Sequence, residues 1–155
     1  MATSTLVQDL SSSSVEVSAR RKVETYYVGA AVTAGQWVCF DQTKTGVERA
    51  RYVKPADAGA AATIQVVGCA LTGGAAGERI EVVINGYFEG ASTFHSGGAG
   101  ITVTAGMGLT ISATAGKARR YYTAAADNVT VQQIGYALEN AAADKCDVIV
   151  TCGSI

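Results

Sequence analysis

The sequence predicts an all-β fold, a compact barrel or sandwich with little helix, and three observations point that way. Of 155 residues, 18 are glycine and one is proline, while charged residues make up 16%, a composition suited to many turns between closely packed strands. Short β-branched runs such as Ile80–Ile84, Ile101–Thr104 and Val129–Val131 are mostly bounded by Gly or Asp/Asn, the punctuation of short strands in a barrel or sandwich. One order of motifs also occurs twice, in copies of about fifty residues, each too small to bury a sound core alone.

The chain opens differently from its body. Residues 1–24 contain Ser11-Ser12-Ser13-Ser14, then the alternation Val15-Glu16-Val17-Ser18, then the basic cluster Arg20-Arg21-Lys22. Val15 and Val17 would point one way and the polar residues the other, as in a strand added to a partner's sheet edge; the plainer reading is a frayed tail. The expectation is an extended N-terminal arm with Leu6, Val7, Leu10, Val15, Val17, Arg20, Arg21 and Lys22 as candidate partner contacts.

Residues 25–155 read as one β domain built from an internal duplication. Val32-Thr33-Ala34-Gly35 recurs as Val103-Thr104-Ala105-Gly106. Each copy continues with a strand-like run, Gln36–Phe40 or Met107–Ile111, a turn glycine, Gly46 or Gly116, and a basic-aromatic step, Arg51-Tyr52 or Arg120-Tyr121. Val67-Gly68-Cys69-Ala70-Leu71 then answers Ile134-Gly135-Tyr136-Ala137-Leu138, and an apolar strand closes each copy, Ile80–Ile84 or Asp147–Thr151. Copy one spans about 32–90, a Gly-rich connector 91–100, and copy two about 101–153. The offsets shrink, 103−32 = 71, 116−46 = 70, 121−52 = 69 and 135−68 = 67, which places the deletions in loops. An offset of 67 would set the apolar positions Ile80, Val82 and Ile84 against Asp147, Ile149 and Thr151, so no inward face is assigned in copy two. Ala137–Lys145 has helical propensity, but its counterpart Ala70–Glu78 carries glycines, so both read as strand end plus turn. Any helix is expected as one short piece near Pro55–Thr63 or Tyr122–Asp127.

Chemistry is sparse. Net charge is −1 and the pI about 5.8, which provides no positive field for a polyanion. No window approaches the ~18 apolar residues of a membrane span, and the first residues lack a signal-peptide pattern, so a soluble protein made in a reducing cytoplasm is expected. Cys39, Cys69, Cys146 and Cys152 lie among apolar neighbours and read as buried free thiols. Gly73-Gly74-Ala75-Ala76-Gly77-Glu78 has an acid where a phosphate-binding loop needs lysine. His95, the single histidine, reads as a solvated loop residue, and neither a metal site nor a catalytic triad assembles around it. Arg49/Arg51 and Arg119/Arg120 read as an exposed strand face or, alternatively, a contact for an acidic partner; Trp37 with Tyr26-Tyr27 and Tyr121-Tyr122 lacks the basic groove of a single-strand platform. Asn128-Val129-Thr130 is a chance sequon without a secretory route. The reading is of a protein that is not an enzyme and uses no cofactor.

The motif order Val-x-Ala-Gly, Val-Gly-x-Ala-Leu-Thr, Ala-Ala-Gly-Glu, a Val/Ile-rich strand ending Gly86-Tyr87-Phe88-Glu89-Gly90, a second Val-Thr-Ala-Gly with Ile-Gly-x-Ala-Leu, and a closing Val-Ile-Val resembles the capsid decoration (cement) proteins of tailed bacteriophages. More narrowly, it is similar to a small Ala/Gly/Val-rich group long carried as a domain of unknown function. The resemblance covers roughly residues 25–155. It implies a β-barrel or β-tulip-like protein on the outer surface of a phage head, often trimeric, reinforcing joints between major capsid protein subunits. The longer Ser-rich N-terminus and the four cysteines depart from it. The competing expectations are another virion part, such as a tail-tube, fibre or minor coat subunit, or a carbohydrate-binding module with an aromatic patch around Trp37.

Overall fold

The computed structural model describes residues 21–59, 65–95, 102–121 and 132–152. Nine strands and one helical turn follow in order: β1 (Lys22–Val28), β2 (Trp37–Phe40), α1 (Gly46–Arg49), β3 (Tyr52–Pro55), β4 (Val66–Ala70), β5 (Arg79–Ser92), β6 (Gly108–Ile111), β7 (Ala118–Arg120), β8 (Gly135–Ala137) and β9 (Lys145–Val150). β1, β3, β2, β4 and β5 pair in that sequence, and β5 pairs back to β1, closing a five-stranded barrel. The all-β expectation with a barrel is therefore met.

β5 joins the two halves of the molecule. Its first part, through Asn85, pairs with β1 and β4; from Gly86 onward it pairs with β9. Gly86 marks the handover with a φ of +100°, a conformation glycine adopts without Cβ strain. From β9 the sheet runs on through β8 and β6 to β7.

Alternation along the strands builds two cores. Val28, Val32, Val38, Val53, Val67, Ala70, Ile80, Val82 and Ile84 fill the barrel. Trp37, Cys39, Val66, Cys69 and Val83 come from the same strands but join Phe88, Leu109, Ile111, Ile134, Val148 and Val150 in a second core. β2 and β4 are thus buried on both faces, which is why their runs lack a polar alternation, whereas β5 keeps Arg79 and Glu81 exposed beside the buried Ile80, Val82 and Val83.

The two halves share a pairing pattern: β3–β2–β4–β5 in one, β7–β6–β8–β9 in the other. β1 lies parallel to β3 through Val28 and Val53, and the segment leaving β5 lies parallel to β7 through Thr93 and Ala118. Cys69 pairs with Val83 and Tyr136 with Ile149, so the matching offset in the last strand is 149−83 = 66. One residue less than 67 turns every side chain over: Ile80, Val82 and Ile84 answer Cys146, Val148 and Val150, all buried.

Several expectations are corrected. The helical turn is Gly46–Arg49, whereas Pro55 ends β3 because its backbone pairs with Val38; residues 60–64 and 122–131 lie outside the described set. Thr102–Thr104 form no strand: Val103 instead drops its side chain into the second core while its N–H donates to Phe94 O. Ala91 and Ser92, assigned to the connector, complete β5, and Lys22–Glu24, assigned to the arm, belong to β1 because they pair with β5. Ala137 does end β8, and a tight turn at Ala143-Asp144 leads into β9.

Candidate partner-contact surface

Leu6, Val7, Leu10, Val15, Val17 and Arg20 lie outside the described residues. Arg21 sits at the seam of the two halves, lining an open groove of about 510 Å³ with Leu71, Phe88, Glu89 and Lys145. Lys145 Nζ reaches Ser92 Oγ at 3.4 Å, and the lining combines the charged Arg21, Glu89 and Lys145 with the apolar Leu71 and Phe88. Lys22 faces solvent and pairs with Glu24 at 3.2 Å.

The groove wall is held by Asp147. Its Oδ1 accepts from Gly90 N–H (2.9 Å) and its Oδ2 from the Tyr87 hydroxyl (2.7 Å), fastening the register shift between Phe88 and Ala91 where β5 bulges against β9. Donating to that carboxylate pushes the Tyr87 phenol up to about 12.

A second polar cluster stands at the turn into β9. Asp144 accepts from His95 Nδ1 (2.7 Å) and from Lys117 Nζ, and the bond from Lys117, followed by that from His95, holds its carboxyl well below the usual carboxylate range. His95 is exposed, as a solvated loop histidine is, and is also tethered, because the sheet brings residues 49 positions apart together. Lys117 also lies 4.7 Å from the centre of the Phe94 ring. The three side chains clamp the end of β5, β7 and the β9 turn, a structural role.

The cysteines are free; Cys39, Cys69 and Cys146 are buried and Cys152 is half-buried. Burial pushes the Cys39 thiol up to about 11, Cys152 to about 12 and Cys69 well above the ordinary range. Thiols held protonated in this way are poor nucleophiles and poor metal ligands. Among the described residues no group of His, Cys, Asp and Glu is placed to hold a metal ion. No helix among them is long and apolar enough to cross a membrane.

Trp37 is wholly buried, its indole N–H donating to Ser92 O at 3.2 Å, so its ring is not exposed to a ligand: β2 presents that face to the second core. Arg119 and Arg120 are half-buried rather than exposed, whereas Arg51 is exposed. The surface feature that sequence reasoning missed lies on the outer wall of the barrel, where Tyr27 of β1 stands between Tyr52 of β3 and Arg79 of β5. Its signal was the step Arg51-Tyr52, but only strand pairing sets that step beside Tyr27.

No protein-family model matches this chain, and no curated protein matches it. Among solved structures it is similar to the head fiber gp8.5 N base of bacteriophage phi29, with a TM-score of 0.49 and 14% identity, covering 87% of this chain and 98% of that one.

Proposed function

We propose that this protein is a structural component of a phage virion that binds the outer surface of the head and stabilises the shell. The observation that carries this reading is where the motifs of the resemblance fall. Both Val-Thr-Ala-Gly segments turn the chain into β2 and β6, Val67-Gly68 and Ile134-Gly135 form or adjoin β4 and β8, and Gly86–Gly90 forms the handover in β5. The shared motif order is thus the framework itself, and the described residues present buried thiols and a clamped carboxylate rather than reactive groups.

In this proposal the partner is the major capsid protein, contacted by the N-terminal arm through Leu6, Val7, Leu10, Val15, Val17, Arg20 and Arg21. Lys22 belongs to the barrel. The two halves derive from a duplication, and three copies assemble around a symmetry axis, where modest contacts sum through effective concentration. No cofactor, nucleic acid or membrane takes part.

The test is co-sedimentation of the purified chain with expanded, genome-free heads, followed by heating of both. Saturable binding with a raised disruption temperature is expected, and the double variant Val15→Asp/Val17→Asp should bind at least tenfold more weakly. Soluble protein with no binding would overturn the shell role, and spontaneous tubes or fibres would assign the chain to the tail or a fibre instead.

A further inference from the structure

The outer wall of the barrel carries a stacked pair of tyrosines with cations set on it. Tyr27 and Tyr52 are register partners on the parallel strands β1 and β3, and their rings stack at 5.4 Å with 25° between planes. Three cations gather on this pair. The Arg51 and Arg79 guanidinium carbons lie 5.5 and 5.3 Å from the centre of the Tyr27 ring, and Lys44 Nζ lies 4.7 Å from that of Tyr52.

Among the described residues none of these three cations forms an ion pair with a carboxylate. Glu48 and Glu81, close by in sequence, are exposed and make no ion pair there either. The loop carrying Lys44 is held by Arg49, which donates to Lys44 O (3.0 Å) and Gln42 O (3.3 Å).

Cations laid on aromatic rings keep their N–H edges free while losing rotamer freedom in advance, so less entropy is lost when an anion binds. Guanidinium forks match carboxylates in two-point geometry. The tyrosine rings are occupied by one another and by the cations, so they offer no open face on which a base can stack, as single-strand binding requires.

We propose that Arg51, Arg79 and Lys44, set on the Tyr27–Tyr52 stack, form a docking site for a carboxylate-rich segment of a partner protein. This stands independently of the shell reading, because it rests on the patch alone and names the chemistry of the partner, not its source.

The experiment is fluorescence anisotropy of the full chain with two labelled probes, a deca-glutamate peptide and an oligothymidylate of matched length. The peptide should bind, weakening as salt rises from about 50 to about 300 mM, as screening of exposed charges demands. Arg51→Glu/Arg79→Glu should cost at least tenfold in affinity with an unchanged melting temperature. Tyr27→Leu, which keeps the charges but removes the ring beneath them, should cost about threefold to fivefold, the size of lost preorganisation at an exposed site. Lys22→Glu, off the patch, should change binding less than twofold. No peptide binding by the unaltered chain, equal loss with Lys22→Glu, or tighter binding of the oligothymidylate would overturn the proposal. Should the double charge reversal fail to fold, Arg79→Gln and Tyr27→Leu read the same site, and unaltered binding by both overturns it equally.

Discussion

Gly68 and Gly135 stand in the same relation to the strand beside them: a Cβ on Gly68 would lie 2.2 Å from the Val83 carbonyl oxygen, and one on Gly135 would lie 2.3 Å from that of Ile149. Both obstacles are backbone, so a side chain at either position would have to push one strand away from its neighbour. Both glycines are buried and precede the residues that pair across, Cys69 with Val83 and Tyr136 with Ile149.

Gly68→Ala and Gly135→Ala should each destabilise the fold by about 1–3 kcal/mol, the range of overpacking in a site that cannot relax freely. Gly46→Ala is the control, because its φ of +56° carries strain but nothing lies within 4 Å; it should cost about 1 kcal/mol. Chemical denaturation of the three variants makes the comparison, and equal losses would show that the close approach is not the cause.

Ala143 and Asp144 have φ values of 47° and 60° in the turn before β9, where Ala142 and Lys145 bridge. This is the left-handed pair that a two-residue hairpin demands, and alanine is a poor choice for it. Ala143→Gly should therefore stabilise the protein by about 0.5–1 kcal/mol, less the entropy glycine adds to the unfolded chain. A lower melting temperature would contradict this.

Trp37 is the single tryptophan and links the barrel wall to the second core. Its emission should be blue-shifted in the native protein and move red in one transition with unfolding. Trp37→Ala should cost about 3–5 kcal/mol, as large aromatic truncations in cores do, and emission that reports a separate, earlier transition would show that the two halves unfold independently.

Burial raises the thiols of Cys39 and Cys152 to about 11 and about 12, above the ~8.5 of an unfolded cysteine. The sign follows from linkage: the stability they contribute is fully present below that unfolded value and is lost as pH rises through the folded ones. Melting temperature should stay level near neutrality and fall above about pH 9, with Cys152→Ala showing a shallower fall. Reaction of Cys69, which is fully buried, with a thiol reagent should wait on unfolding.

Asp144 has its carboxyl lowered by Lys117 and His95, so its contribution is present above the unfolded value of about 4 and is lost as pH drops below it. The melting-temperature gap between the unaltered protein and Asp144→Asn should narrow on acidification from about pH 6 to about pH 2. A constant gap would mean that the clamp does not act through charge.

Much of this architecture is legible locally. Strand runs, the glycines that turn them and the repeated motif order depend on neighbours one or two residues away, so β2, β4, the start of β5, β6 and β8 stand where the apolar runs and the turns place them. The rest depends on what lies alongside. An offset of 66 rather than 67 in β9 is invisible in the sequence because a one-residue deletion in a loop leaves the strand unchanged while reversing its faces. Trp37 lies in a strand-like run whose covered face is decided only when the second half of the sheet packs over β2. The stack of Tyr27 on Tyr52, with Arg79 beside it, exists only because β1 closes the barrel between β3 and β5. The sequence by itself determined these five strands and their turns, through short apolar runs and glycine conformation; only the tertiary structure decided which faces meet and which charges gather, because ring closure brings together residues that have no local knowledge of one another.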